Sequence, residues 1–321
     1  MTEAQSPFLP GTKIQFAWDS TSLGYLKTCP RLYQYIMIDG WGSTHESIHL
    51  RFGQEYHQAL QDYDLLRATK VKHDDALHKV VADLLIRTAD FAPDPDTKAG
   101  KYKSRNALVR TVIDYLDEHR DDPAKTYIKA DGKPAVELSF RFELDWGPKG
   151  QNILDGGWHT QPYLLCGHLD RVVDFNGSLF VMDHKTSTTT LSSSYFDQWS
   201  PGNQMTLYSL AAKVILDSPV KGVIINACQL LVDSSRFVRG FTYRTPDQLS
   251  EWVQDLHSWL EKAEAYAEAD YWPMNDTACN NFGGCRFRGV CSKSPQVREQ
   301  FLKSDFDKLP EEDRWNPLKP R

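Results

Sequence analysis

Residues 167–185 (GHLDRVVDFNGSLFVMDHK) constrain the fold more than any other stretch of the chain. Asn176-Gly177 sits between two apolar-rich runs and favours a two-residue type I′ hairpin turn. A turn of that length fixes the register. Phe175 then faces Ser178, Val173 faces Phe180, Arg171 faces Met182, and Asp170 faces Asp183. The last pair is of the non-hydrogen-bonded kind, in which the Cα atoms stand about 4.5 Å apart. Opposed like charges destabilise a sheet, and both carboxylates interrupt apolar strands, where a charge needs a partner or a metal. Lys185 lies two residues beyond Asp183 and so on the same face. The three groups form either a buried Asp–Lys ion pair or a set that can hold a hard cation and orient a water beside it.

Composition adds bounds. The chain has 321 residues, a net charge of -6, 40% hydrophobic and 25% charged residues, values suited to one elaborated globular domain. With a pI of 5.9, nucleic-acid binding needs local basic patches. No run of eighteen apolar residues occurs, so no membrane partner is expected, and MTEAQSPFLPG lacks the features of a signal peptide. The expectation is a cytoplasmic protein. Six cysteines in a reducing compartment then need reasons other than disulfides. Cys166 and Cys228 sit in apolar strand-like runs and read as small buried residues. Cys279, Cys285 and Cys291 are six apart, with Cys29 far off in sequence. Three clustered thiols and one distant thiol can complete a four-thiolate site for a [4Fe–4S] cluster or Zn²⁺.

Hydrophobic periodicity places helices over 20–38 with a break at Pro30, from 51 towards Leu66, and over 74–92 and 104–119, the last two reading as a helical insertion. A half-buried strand follows at 136–144. A Gly/Pro-rich connection at 147–162 leads to the hairpin strands at 163–175 and 178–186. Next come a Ser/Thr-rich loop to Gly202, a helix over 203–217, strands at 221–232 and 236–244, and a helix over 246–269 with Trp252, Leu256, Trp259, Leu260 and Ala263 as its apolar stripe. Four segments result: 1–50, helical with one cluster cysteine; 51–130, helical; 131–245, a core of sheet and helix; 246–321, a helix, the clustered cysteines and a tail. Between Thr97 and Ile113 lie five basic residues, Tyr102 and no acidic residue. This is either a solvated helix face or a groove wall in which Lys101, Lys103 and Arg105 track phosphate while Tyr102 stacks on a base.

GHLDRV at 167–172, VMDHKT at 181–186, and Gln204 with Tyr208 four residues on resemble the PD-(D/E)XK nuclease superfamily, and more narrowly the RecB-like and CRISPR-associated exonucleases that carry an iron–sulfur cluster. SLGYLKTCPRLY at 22–33 and the spacing from Gly53 to His57 are similar to that family too, so the resemblance spans about 20–291. It implies an α/β (α+β) fold: a restriction-endonuclease-like αβββαβ core with a central mixed sheet, a helical insertion, and N- and C-terminal segments joined at a metal cluster. Asp170 and Asp183 would be the metal-binding carboxylates, and the His184 main-chain carbonyl would complete the shell. Lys185 would orient the attacking water. His57 would be an added ligand, which makes Mn²⁺ fitting beside Mg²⁺. Gln204 and Tyr208 would lie near the active site and the DNA strand; Glu137 has an analogue in some relatives. The resemblance favours [4Fe–4S] over Zn²⁺ at Cys29, Cys279, Cys285 and Cys291. Asp183 stands where the family more often has Glu, a departure that bears on metal preference. The implied activity is metal-dependent hydrolysis of DNA, single-stranded or with free ends, by an exonuclease with recombination or CRISPR-type partners. The rival readings are a non-cleaving DNA-binding or assembly module and a zinc-stabilised variant of the same fold.

Overall fold

The computed structural model of the protein describes residues 5–43, 47–148, 161–281 and 284–319. The 147–162 connection falls largely outside them. In chain order the elements are β1 (Ala17–Trp18), α1 (Ser20–Thr28), α2 (Pro30–Tyr33), β2 (Trp41–Gly42), α3 (Ile48–Ala68), α4 (His73–Arg87), α5 (Lys98–Tyr102), α6 (Arg105–Glu118), β3 (Ala124–Thr126), β4 (Val136–Glu143), β5 (Leu164–Phe175) and β6 (Ser178–Ser187). They continue as α7 (Ser193–Asp197), α8 (Asn203–Ile215), β7 (Val220–Leu230), β8 (Ser235–Thr242), α9 (Pro246–Glu268), α10 (Arg288–Cys291), α11 (Arg298–Asp305) and β9 (Asp307–Lys308). The mixed α/β architecture matches the expectation. A short helix, α7, interrupts the 186–202 segment that reads as loop, and α2 runs on into a π-helical turn, Gln34–Ile38.

The four expected segments are interleaved in space as two compact units, one of Met1–His45, Ser139–Gly167 and Asp247–Arg321, the other of Glu46–Leu138 and His168–Pro246. In the second unit the hairpin forms as its turn dictates. Asn176 (φ 53°) and Gly177 (φ 76°) are both left-handed, the requirement of a type I′ turn, and the Gly177 N–H donates to Asp174 Oδ1 at 2.8 Å. The β5–β6 ladder runs from Phe175–Ser178 to Arg171–Met182. On its other edge β6 pairs parallel with β7, which pairs antiparallel with β8, and β3 flanks β5.

Alternation along β6 puts Phe180, Met182 and His184 on one face and Asp183 and Lys185 on the other. At its His184 end the first face is covered by α3 and α6, whereas Phe180 and Met182 pack with Ala124, Val173 and Ile224. Along α3, Phe52, Tyr56, Ala59, Leu60 and Tyr63 form one apolar stripe and pack with Val80, Leu84, Leu108 and Val112 and with Cys228 and Leu230 of β7. Each large side chain buried there stabilises the unit by on the order of 2 kcal/mol. The crossover helix α8 packs on β6 and β7.

In the first unit Asp19 caps α1 in a reciprocal box with Ser22 and also accepts from Trp315 Nε1 at 2.8 Å. β1 pairs parallel with Leu164–Leu165. Along α9 the buried stripe is Leu249, Trp252, Leu256, Leu260 and Ala263; Trp259 is half-buried beneath Lys262 instead. Among the described residues no helix is long and apolar enough to cross a membrane.

Candidate active site and cysteine cavity

The described β5–β6 ladder ends one residue short of Asp170 and Asp183, where a side chain replaces the next backbone bond. The His184 N–H donates to Asp170 Oδ2 at 2.9 Å, which ties that carboxylate to β6. His57, projecting from α3, places Nδ1 3.3 Å from the same oxygen. Asp183 is 1% exposed, and the Lys185 ammonium donates to its Oδ1 at 2.9 Å. Oδ2 lies 2.7 Å from that ammonium but lacks a well-directed hydrogen bond. Lys185 Nζ also stands 5.4 Å from the centre of the Trp199 ring. Tyr195 lies near enough that burial, with the Asp183 charge added, pushes its phenol up to about 12.

The two carboxylates divide the charge unequally. Burial works against the Asp170 anion, but His57 and the nearby cations outweigh it and hold the group well below the usual range. Asp183 is raised by burial and by the Asp170 charge, in spite of Lys185. For His57, burial opposes the imidazolium, yet Asp170 raises its pKa on balance. Two carboxylates, one raised and with a buried oxygen poorly matched, form a site short of positive charge, which suits a cation. Among the described residues no three His, Cys, Asp or Glu side chains are set as a ready-made metal site. The imidazole and the carboxylates are engaged with each other and with Lys185.

A polar row supports this edge from the α3–α6 face. His184, Asn226 and Arg239 are register partners across β6, β7 and β8. Asn226 Nδ2 donates to the Tyr115 hydroxyl at 2.7 Å and to His184 Nδ1 at 2.9 Å, while Oδ1 accepts from Arg239 Nε at 3.1 Å. Arg239 in turn grips Asp122 with both terminal nitrogens. Receiving a hydrogen bond at Nδ1 keeps the His184 ring neutral, and burial drives its pKa well below the ordinary value. Asn226 is an amide in the apolar run VIINAC, a sequence signal not used above.

Gln204 Nε2 donates to the Tyr208 hydroxyl at 3.0 Å, so these two form one unit on α8. Glu137 has φ +49°, a left-handed backbone inside β4 that a side chain rarely adopts. The basic segment does not form a continuous wall. Lys101 is exposed and Tyr102 half-buried, but Lys103 is 6% exposed with its ammonium 5.5 Å from the Phe52 ring centre. Arg105 donates to the Leu85 carbonyl at 2.8 Å, and Arg110 to that of Val232 at 3.1 Å. α5 is so short that Lys103, just past its end, turns back onto α3.

In the first unit Cys29, Cys279, Cys285 and Cys291 line one small cavity with Leu32, Tyr35 and Phe287. The Asn275 N–H donates to Cys29 Sγ at 3.3 Å, the kind of donor that steadies a thiolate. Burial raises the Cys291 thiol, Arg31 and Arg298 lower it, and Cys285 and Cys29 are near enough to raise it again. The four thiols edge one mostly apolar cavity, although among the described residues no three of them are set as a ready-made metal site. Cys166 and Cys228 stand apart, pushed chiefly by burial up to about 11 and about 12, inert packing thiols.

A comparison with curated proteins gives no match. Among solved structures the chain is similar to a proposed exonuclease from Eubacterium rectale, at 11% identity over 90% of this chain and 93% of that one, with a TM-score of 0.48. It is also similar to the protein SSO0001, at 12% identity over 86% of each chain, with a TM-score of 0.34. The family model of the PD-(D/E)XK nuclease superfamily matches residues 20–292. That match contains both carboxylates, Lys185 and all four cavity cysteines, and the chain belongs to the PD-(D/E)XK nuclease superfamily.

Proposed function

We propose that the chain is a divalent-cation-dependent deoxyribonuclease that hydrolyses phosphodiester bonds in single-stranded or frayed DNA from a free end. The observation that carries this reading is the convergence of Asp170, Asp183 and Lys185 where the hairpin ladder stops. His57, Asp170, Asp183 and the His184 carbonyl would hold Mg²⁺ or Mn²⁺, which when bound supplies Lewis-acid stabilisation of charge on phosphate and leaving oxygen. The protein's own contribution is positional. Asp170 is pinned by the His184 N–H, and Lys185, flanked by Asp183 and Trp199, presents an ammonium that orients the attacking water. The free-end and single-strand preference draws on the likeness of His57, Gln204 and Tyr208 to the RecB-like pattern.

The cysteine cavity would hold a [4Fe–4S] cluster, with Zn²⁺ as the alternative, fastening α1 and α2 to the 275–291 segment of the same unit. A broad visible absorption band with iron supports the cluster; a colourless protein with stoichiometric zinc replaces it. The activity is tested with end-labelled single- and double-stranded DNA in Mg²⁺, Mn²⁺ or EDTA. Cation-dependent shortening of the single strand from one end, at least about 10³-fold slower in Lys185→Ala with the fold unchanged, is the expected result. Full cleavage by Lys185→Ala, or by the unaltered chain in EDTA, would sink the assignment.

A further inference from the structure

Arg171 follows Asp170 along β5 and therefore projects to the other face, into a cavity of about 260 Å³ within the second unit. Its guanidinium is buried and fully engaged: 3.2 Å from Asp64 Oδ1, donating to the Thr126 hydroxyl at 3.0 Å and to the Ala124 carbonyl at 3.2 Å. Asp122, the other carboxylate of the lining, is held by Arg239. Each acid in the cavity thus already has its own guanidinium. The remaining charges on the lining are all positive.

Those charges are Arg67 and Arg120; Lys125, also on the rim, alternates with Thr126 and stands opposite Asp174 on the other face of β3. Arg67 donates through Nη1 to the Val71 carbonyl, which leaves its other N–H groups available. Arg120 reaches an exposed carboxylate, Asp74, with one terminal nitrogen. Two guanidiniums with N–H groups to spare beside one concavity, in a chain of net charge -6, describe a receptor for an anion. Leu60 and Ile128 add an apolar wall, and Ile128 is 45% exposed. The volume exceeds the needs of a bare oxyanion.

We propose that this cavity binds a phosphate-bearing ligand of mononucleotide size, its phosphate on Arg67 and Arg120 and its less polar body against Leu60 and Ile128. Binding here does not depend on hydrolysis at Asp170 and Asp183. Tyr115 lines the cavity and bonds Asn226, which bonds His184, so the site shares a wall with the support of the carboxylates.

The test is calorimetric titration of the Lys185→Ala chain in EDTA, with dTMP, orthophosphate and (dT)12 as probes. dTMP should bind more tightly than orthophosphate. Arg67→Glu should weaken dTMP about tenfold or more, the ratio expected when a phosphate loses charge-assisted contacts. Arg120→Glu, on the exposed rim, should weaken it in the same direction. Weakening of (dT)12 in parallel assigns the phosphate to a nucleic-acid strand; weakening of dTMP alone assigns it to a free nucleotide. Unchanged dTMP affinity in both variants, or no binding by any probe, overturns the proposal. Failure of the nuclease reading would appear instead as absence of cleavage by the unaltered chain, with these affinities untouched.

Discussion

Asn226→Leu is the sharpest single perturbation of the second unit, because it keeps side-chain volume while deleting three hydrogen bonds at 2.7, 2.9 and 3.1 Å. The amide is 2% exposed, so water cannot replace it without repacking. Tyr115 and His184 each lose a buried partner, at about 1–3 kcal/mol apiece, and Arg239 loses one donor contact while keeping Asp122, at about 1 kcal/mol. The leucine recovers about 1 kcal/mol through added apolar burial. The net loss should be about 2–6 kcal/mol, read as a lowered urea midpoint with unchanged m-value. Tyr115→Phe removes the 2.7 Å bond together with the hydroxyl's interaction with Arg239 and should cost about 1–2 kcal/mol. The double variant should cost about 1 kcal/mol less than the sum, because the amide–phenol bond is lost in both single variants. Strand cleavage in Asn226→Leu should fall between tenfold and a hundredfold, since the His184 N–H that pins Asp170 belongs to the strand residue the amide anchors. A stability loss under about 1 kcal/mol, or strict additivity, would refute the idea that the row is one cooperative network.

Asp64 is the pH probe. Burial pushes its carboxyl up to about 6, only partly relieved by Arg171. The folded chain therefore binds this proton more tightly than the unfolded one, whose pKa is about 3.9. Its stabilising contribution is complete below about 3.9 and is lost as pH rises through about 6, on the order of 3 kcal/mol in all. Asp64→Asn should flatten thermal stability against pH in that window; an unchanged slope counts against the assignment. Cys29→Ser should abolish metal incorporation and cost more than about 2 kcal/mol of folding stability, and a variant with full metal content would contradict a four-thiolate site. Lys103→Glu should lower stability by about 2–4 kcal/mol, because it buries a carboxylate against Phe52. Lys101→Glu should leave stability unchanged while weakening DNA binding and flattening its salt dependence. Equal thermal shifts in the two would show that Lys103 is not buried.

What could be read from the sequence follows from how local each determinant is. The hairpin register was legible because a two-residue Asn-Gly turn fixes every later pair by counting, and the ladder from Phe175–Ser178 to Arg171–Met182 follows that count. The parallel pairing of β6 with β7 has no such anchor. It depends on how α8 returns the chain, and it carries a register shift at Leu179/Phe180, so His184, Asn226 and Arg239 could not be aligned by counting. Lys103 misled for the opposite reason. Composition cannot distinguish an ammonium in water from one folded back over Phe52, and the turn that decides it is one residue past a five-residue helix. The cysteines were legible as a group, since spacing brings thiols together without needing a register, but spacing does not select the metal. The same distinction explains the site's architecture. Asp170, Asp183 and Lys185 lie along one hairpin, where a local rule places them, whereas His57 on α3 and the groups that hold the site come from strands and helices that meet only in the finished fold. A substitution in the hairpin should therefore remove activity and spare the fold. One in the supporting row should reduce both together, with Asp170 placement and folding stability falling in step.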